Sequence, residues 1–292
     1  MKNLTQTKRT MKQIKTITSY LQGINEDPIK SEYIEYDKAG NIVLSFKYDE
    51  EGTIIEKSEF TFDEKSRKLT EKQYLSETEI AEEHHFTYND KGELSEIHTN
   101  YAEGYSSIRK ITYNPQQHER IDLELDEDGE MEEKHVFKYH EKHGKLIEWA
   151  EYDDREKLVQ KTTQLYDDKA RVIEQAEYER KGKKPIQSRK YSYIDDSDKI
   201  EQLSVFNHKG KLINQYRLFY DEQGRVTRQI SPTSGSIEVD YLSDKEQVDR
   251  TLDATGNIQN ETKTIFDDAG NVIREEDLML TKTHEISYYE EG

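Results

Sequence analysis

The chain has 292 residues, 36% of them charged and 32% hydrophobic, with a formal net charge of −19. That balance excludes a thick two-layer α/β enzyme core, while the 20 tyrosines exclude wholesale disorder, in which aromatics are scarce. There is no cysteine, hence no disulfide, thiolate metal site or cysteine nucleophile, and no run of about 18 apolar residues that could span a membrane as a helix.

In chain order, residues 1–10 read as a disordered tail. The basic N-terminus lacks the apolar stretch of a signal peptide, so a cytoplasmic location is expected, or an extracellular one if a leader has been removed. Between Met11 and Leu21, helical spacing of Met11, Ile14, Ile17 and Leu21 competes with the β-branched content of IKTITSY. The β-branched residues favour a strand there.

From Tyr36 onward a single unit recurs: an aromatic residue, Asp or Asn, two variable residues, Gly, one more residue and an aliphatic. Clear copies are YDKAGNI from Tyr36, YDEEGTI from Tyr48, YNDKGEL from Tyr88, FNHKGKL from Phe206, YDEQGRV from Tyr220 and FDDAGNV from Phe266. LDEDGEM from Leu125 and LDATGNI from Leu252 carry Leu in the aromatic slot, and degenerate copies begin at Phe62, Tyr113, Tyr139, Tyr152 and Tyr166. With Tyr74 and Tyr101 included, successive anchors from Tyr36 to Tyr166 fall 12 to 15 residues apart. The Asp or Asn can accept a backbone N–H two residues on, and the Gly supplies the φ > 0 residue of a type I turn with a bulge. The structural turn residues are therefore Asp37 and Gly40, Asp49 and Gly52, Asn89 and Gly92, Asp126 and Gly129, Asn207 and Gly210, Asp221 and Gly224, Asp253 and Gly256, and Asp267 and Gly270. Ala170 occupies the Gly position of one copy and Ser66 that of another.

About seven residues with period-2 character lie between turns, as in Ile42, Leu44, Phe46 and Tyr48 against Val43, Ser45 and Lys47. The fold class is all-β: a long antiparallel meander of about 20 short strands. Open twisted sheets rarely exceed about 10 strands without curling, so a curled single sheet or open β-spiral of hairpin repeats is expected. Its aliphatic parity should lie inside, its Lys and Glu outside, and its Tyr and Phe in cross-strand ladders. Residues 11–292 read as one continuous domain, looser at 178–200 and 229–248, where the period stretches.

The YDxxGR-aliphatic unit resembles the YD-repeat, or Rhs-repeat, family, most closely at YDEQGRV (220–226). HGKLIEW (143–149) and KGKLINQY (209–216) are similar to MORN-like repeats of bacterial antitoxin-annotated proteins. The resemblance implies a β-sheet spiral that, in large members, forms a shell around a toxin or a stalk on a cell surface. This chain departs from that pattern in its shorter spacing and in lacking a DPxGxxDP-type sequence; its only Asp-Pro is Asp27-Pro28. A partner-binding role fits its length better than a shell.

Of nine histidines, His84 and His85 are adjacent and point to opposite faces of a strand, while His135, His140 and His143 span a strand end and a turn. They read as solvated turn histidines, and no metal is expected. DEDGEMEE (126–133) has the start of a calcium loop without its 12-residue ligand series, and the repeat itself requires Asp126 and Gly129; Asp195, Asp196 and Asp198 fall under the same reading. No nucleophile elbow or phosphate-cradling loop is present, so no catalytic residue, cofactor or enzyme activity is expected. Trp149, the only Trp, stands off the aromatic slot and is the candidate binding residue. The expected function is a protein-binding or scaffolding surface, in its most specific form an antitoxin- or immunity-like inhibitor of a basic partner. The other class in view is a cell-surface adhesin or carbohydrate-binding repeat protein. The acidic balance argues against nucleic acid, and no membrane insertion is expected.

Overall fold

In the computed structural model, residues 13–180 and 183–290 are described. The 1–10 tail lies outside them. The described residues form 22 strands of a single antiparallel sheet. The first five are β1 (Ile14–Gly23), β2 (Ile29–Tyr36), β3 (Ile42–Tyr48), β4 (Ile54–Phe62) and β5 (Lys68–Tyr74). They are followed by β6 (Ile80–Tyr88), β7 (Leu94–Tyr101), β8 (Ser106–Asn114), β9 (Glu119–Leu125), β10 (Met131–Tyr139) and β11 (Leu146–Tyr152). Next come β12 (Leu158–Tyr166), β13 (Val172–Glu179), β14 (Gln187–Tyr193), β15 (Ile200–Asn207) and β16 (Leu212–Tyr220). The last six are β17 (Val226–Ser231), β18 (Gly235–Ser243), β19 (Glu246–Leu252), β20 (Ile258–Phe266), β21 (Val272–Glu276) and β22 (Leu280–Tyr288). The described residues divide into two compact units, one of 13–83, 240–250 and 260–290, the other of 84–239 and 251–259.

One turn chemistry repeats along the meander. Asp37, Asp49, Asn89, Asp126, Asn207, Asp221, Asp253 and Asp267 each accept, on Oδ1, the backbone N–H two residues on and the N–H four residues on. The eight paired glycines have φ between 71° and 91°, and the pairing register slips by one residue beside these turns, as between Glu35 and Tyr36. Ala170 takes φ 60° and Ser66 φ 58°, a conformation that costs a residue with a Cβ roughly 1–2 kcal/mol. The Arg of the YDxxGR unit closes the turn from outside, with Nε of Arg67, Arg171 and Arg225 each 2.7 Å from Oδ2 of the Asp four residues earlier.

Three expectations are corrected. The sheet is not an open curl or spiral, because β1 pairs antiparallel with β22, from Ile14 opposite Tyr288 to Gly23 opposite Leu280. Paired first and last strands give the meander the closed topology of a β-barrel and remove its end edges, which are sites of uncontrolled strand addition. That closure also overturns the expectation of no membrane insertion. The missing apolar run bears only on helices, and among the described residues no helix is long and apolar enough to cross a membrane. Closed antiparallel sheets are the other structures that span bilayers. Finally, the stretch 229–248, expected to be looser, is carried by β17, β18 and β19, with β17 and β18 joined by Pro232–Ser234 alone.

The core is thin. Among the described residues the buried apolar side chains are Ile111, Val136, Ala150, Ala176, Val205 and Val248. Aliphatic and charged residues are not segregated by parity. Val136 lies opposite Ile121 and Ala150, and its strand neighbour on the same face, Lys138, lies opposite Glu119 and Glu148; Lys138 Nζ is 2.8 Å from the Glu148 carboxylate. The other face carries pairs of its own, including Arg120–Asp122 and Arg189–Glu177. Among the described residues, slot aromatics lie under cations more often than against each other: Lys30 Nζ is 4.5 Å from the Tyr48 ring centre, and Lys199 Nζ 5.4 Å from that of Tyr220.

Candidate functional site around Trp149

The site is built on β9, β10 and β11, within one unit. In the ladder, Phe137 of β10 stands opposite Arg120 of β9 and Trp149 of β11, while His135 stands opposite Asp122 and Glu151. Directly paired residues of antiparallel strands share a face, so two cross-strand rows lie side by side: Arg120–Phe137–Trp149 and Asp122–His135–Glu151. Glu133, two residues before His135, projects to the same face.

Trp149 is half-buried. Its indole meets the His135 imidazole edge-on, with centroids 5.8 Å apart and planes at 79°; Phe137 is tilted against the same imidazole at 6.3 Å. The Arg120 guanidinium lies 4.8 Å from the Phe137 centroid and donates from Nε to Asp122 Oδ1 at 2.7 Å. That hydrogen bond holds the Arg120 pKa above its ordinary value, against the opposing effect of burial. Asp122 is 5% exposed, and Arg120 is the counter-charge that lets it be so. Glu151 Oε2 accepts from Gln160 at 2.5 Å. Glu133 Oε1 is 2.9 Å from His135 Nε2.

The other singled-out residues lie elsewhere. The sixteen turn residues are distributed along the hairpins and converge on no common point. Asp126 and Gly129 form a turn in which Asp126 Oδ1 accepts from Asp128 and Glu130, while Asp196 is 2.6 Å from Lys169 Nζ. His84 Nδ1 is 2.9 Å from Thr99 Oγ1. His140 and His143 stack in the β10–β11 turn, 3.8 Å apart and within 4° of parallel. Each uses Nδ1 to accept a backbone N–H, from Lys142 and Lys145 respectively, and burial followed by the nearby His140 lowers the His143 pKa.

Sequence reasoning picked out Trp149 and missed the company it keeps. His135 belongs with Trp149 rather than with His140 and His143; Glu133 enters the sequence reading only as the last residue of DEDGEMEE (126–133), and Glu151 not at all. The obstacle is register. Asp37 N–H reaches the carbonyl four residues on, whereas His140 N–H reaches that of Lys145, five residues on. The β10–β11 loop is thus one residue longer than the repeat implies, and one residue decides which side chains share a face.

No family model and no curated protein matches this chain. Among solved structures, a chain of the Photorhabdus luminescens Tc holotoxin pore is 12% identical, at TM-score 0.28 over 91% of this chain and 18% of that one. This chain therefore spans about a fifth of the toxin chain it matches. A porin-like protein from Bacteroides uniformis is 12% identical, covering 94% of this chain and 96% of that one at TM-score 0.31. Another, from Bacteroides vulgatus, is 13% identical over 72% of this chain and 99% of that one at TM-score 0.29. Scores and identities of this size assign neither a family nor a function.

Proposed function

We propose that this chain is a non-catalytic repeat protein of the YD type whose sheet face around Trp149 binds another protein, with inhibition of that partner the most specific form of the reading. The observation that carries it is the Arg120–Phe137–Trp149 row. Trp and Arg are the side chains most enriched at the energetic centres of protein interfaces. Here they flank a Phe on one sheet face, outside the slot whose aromatics serve the repeat. The ladder holds the three from strand to strand, so little ordering cost remains at binding.

The test is affinity capture from lysate of the native cell, using the full chain and its Trp149→Ala variant in parallel and reading retained proteins by mass spectrometry. One protein retained stoichiometrically by the native chain, and reduced at least tenfold by Trp149→Ala, is the expected result. Retention that ignores the substitution overturns the assignment to this face. If nothing is retained but soluble glycans change Trp149 emission saturably, the protein reading gives way to carbohydrate recognition.

A further inference from the structure

The Asp122–His135–Glu151 row has a charge arrangement unlike its surroundings. Asp122 has Arg120, and Glu148 on the opposite face is within 4 Å of both Lys138 and Lys161. Among the described residues, Glu133 and Glu151 have no Lys or Arg at ion-pair distance; their only close polar partners are His135 and Gln160. One carboxylate oxygen of each, together with His135 Nε2, lies within 4.8 Å of the other two. His135 Nε2 is sealed from solvent and makes no hydrogen bond. Glu133 Oε1 is the nearest carboxylate oxygen, at 2.9 Å. A buried nitrogen that makes no hydrogen bond is destabilising, and two carboxylates converging on it without a counter-charge add repulsion.

One ligand relieves all three conditions. We propose that Glu133, His135 and Glu151 form a binding site for a divalent first-row transition-metal ion, with zinc the preferred occupant. A cation between them accepts the Nε2 lone pair and neutralises both carboxylates. Imidazole nitrogen with carboxylate oxygen suits zinc, whereas calcium and magnesium prefer all-oxygen sets. Zinc bonds to such donors are about 2.0–2.2 Å long, which sets tetrahedral donor atoms about 3.4 Å apart, so binding opens the Glu133–His135 pair slightly from its present 2.9 Å and brings the Glu151 oxygen to the same spacing. The two glutamates can do this by side-chain rotation without moving the strands. Backbone geometry supplies the preorganisation: Glu133 and His135 are two apart on one strand face, and Glu151 faces His135 across the ladder. Phe137 and Trp149 wedge the imidazole, and the Gln160 bond orients Glu151. Three protein ligands leave the fourth tetrahedral position to water.

The site sits beside the only Trp in the chain, which provides the readout. The full chain, stripped with chelator, is titrated with cobalt(II), whose paramagnetism quenches a neighbouring indole. Saturable one-to-one quenching of Trp149 emission, reversed by zinc, is expected, and calorimetry with zinc alone should give one site per chain. Glu133→Gln and Glu151→Gln, which keep shape and remove charge, should each weaken binding at least tenfold, and His135→Ala should abolish it. Should His135→Ala fail to fold by circular dichroism, the two glutamine variants decide alone. Absence of saturable quenching overturns the site, as does quenching unchanged in the Glu133→Gln/Glu151→Gln double variant, since the metal would then be spread over the acidic surface. Neither result bears on whether Trp149 binds a protein.

Discussion

At the residue scale, the repeat is an agreement between one side-chain oxygen and two backbone N–H groups, and its exceptions are informative. Ala170 holds φ 60° while its turn keeps the same hydrogen bonds, Ala170 N–H to Asp167 O at 2.9 Å and Arg171 N–H to Asp167 Oδ1 at 2.9 Å. Nothing in the turn requires its methyl group. Ala170→Gly is therefore expected to raise stability by about 1 kcal/mol, the relief of left-handed strain outweighing the added freedom of the unfolded chain. Urea unfolding midpoints of the two proteins check this, and an equal or lower midpoint for the variant would sink the strain argument. The same turns are expected to make the protein acid-sensitive. Backbone N–H bonds from the residue four positions on, with other contacts, hold the Asp63, Asp153, Asp167 and Asp221 carboxyls below their ordinary range. At Asp267 burial works the other way, but hydrogen bonds from Tyr288 and Asn271 outweigh it and bring the carboxyl down to about 2.

At the element scale, hairpins are legible in the sequence because most reversals combine an oxygen acceptor with a residue tolerant of φ > 0 within five positions. The exceptions arise where another element sets the geometry. Gly235 opens β18 with φ 90°, and a Cβ placed there would stand 1.9 Å from the carbonyl oxygen of Leu252. That glycine belongs to the stretched SPTSGS segment, where the period alone suggested a loose loop; close backbone contact explains the Gly instead. Gly235→Ala must displace backbone rather than a flexible side chain, so a loss of roughly 2 kcal/mol or more is expected, measured by denaturant unfolding. A variant as stable as the native chain would mean that β18 does not lie against Leu252. The Trp149 face was only partly readable for a related reason. A single residue added to the β10–β11 loop moves the partner of His135, and no local pattern records the register.

At the scale of the whole molecule, many small depressed carboxyls act together. A carboxyl whose pKa is lower folded than unfolded binds its proton more readily in the unfolded chain, so its contribution is complete above the unfolded value, about 3.9, and fades as pH falls. Stability is thus expected to fall with pH from about 4 towards 2, where the Asp267 carboxyl titrates. Urea midpoints across that range test it. Asp153→Asn should make the decline shallower, since Asn89 and Asn207 accept the same pair of N–H groups without a charge. A pH-independent midpoint between 4 and 2 would remove the turns as the origin of acid sensitivity. The closure of the sheet belongs to this scale too. It was not legible, because β1 and β22 are paired across nearly the whole chain and neither carries any mark of the other.

That pairing places the two ends of the described chain side by side, with Tyr289 N–H donating to Gln13 O at 2.9 Å. A short peptide joining them would span a gap already bridged by a hydrogen bond, and the chain could be cut anew at an exposed turn such as the one at Gly210. In such a circular permutant the β1–β22 ladder becomes an ordinary hairpin, and the costly last contact in folding moves to the cut between β15 and β16. Folding rates of permutants cut at successive turns would then show which ladder is the slowest to form.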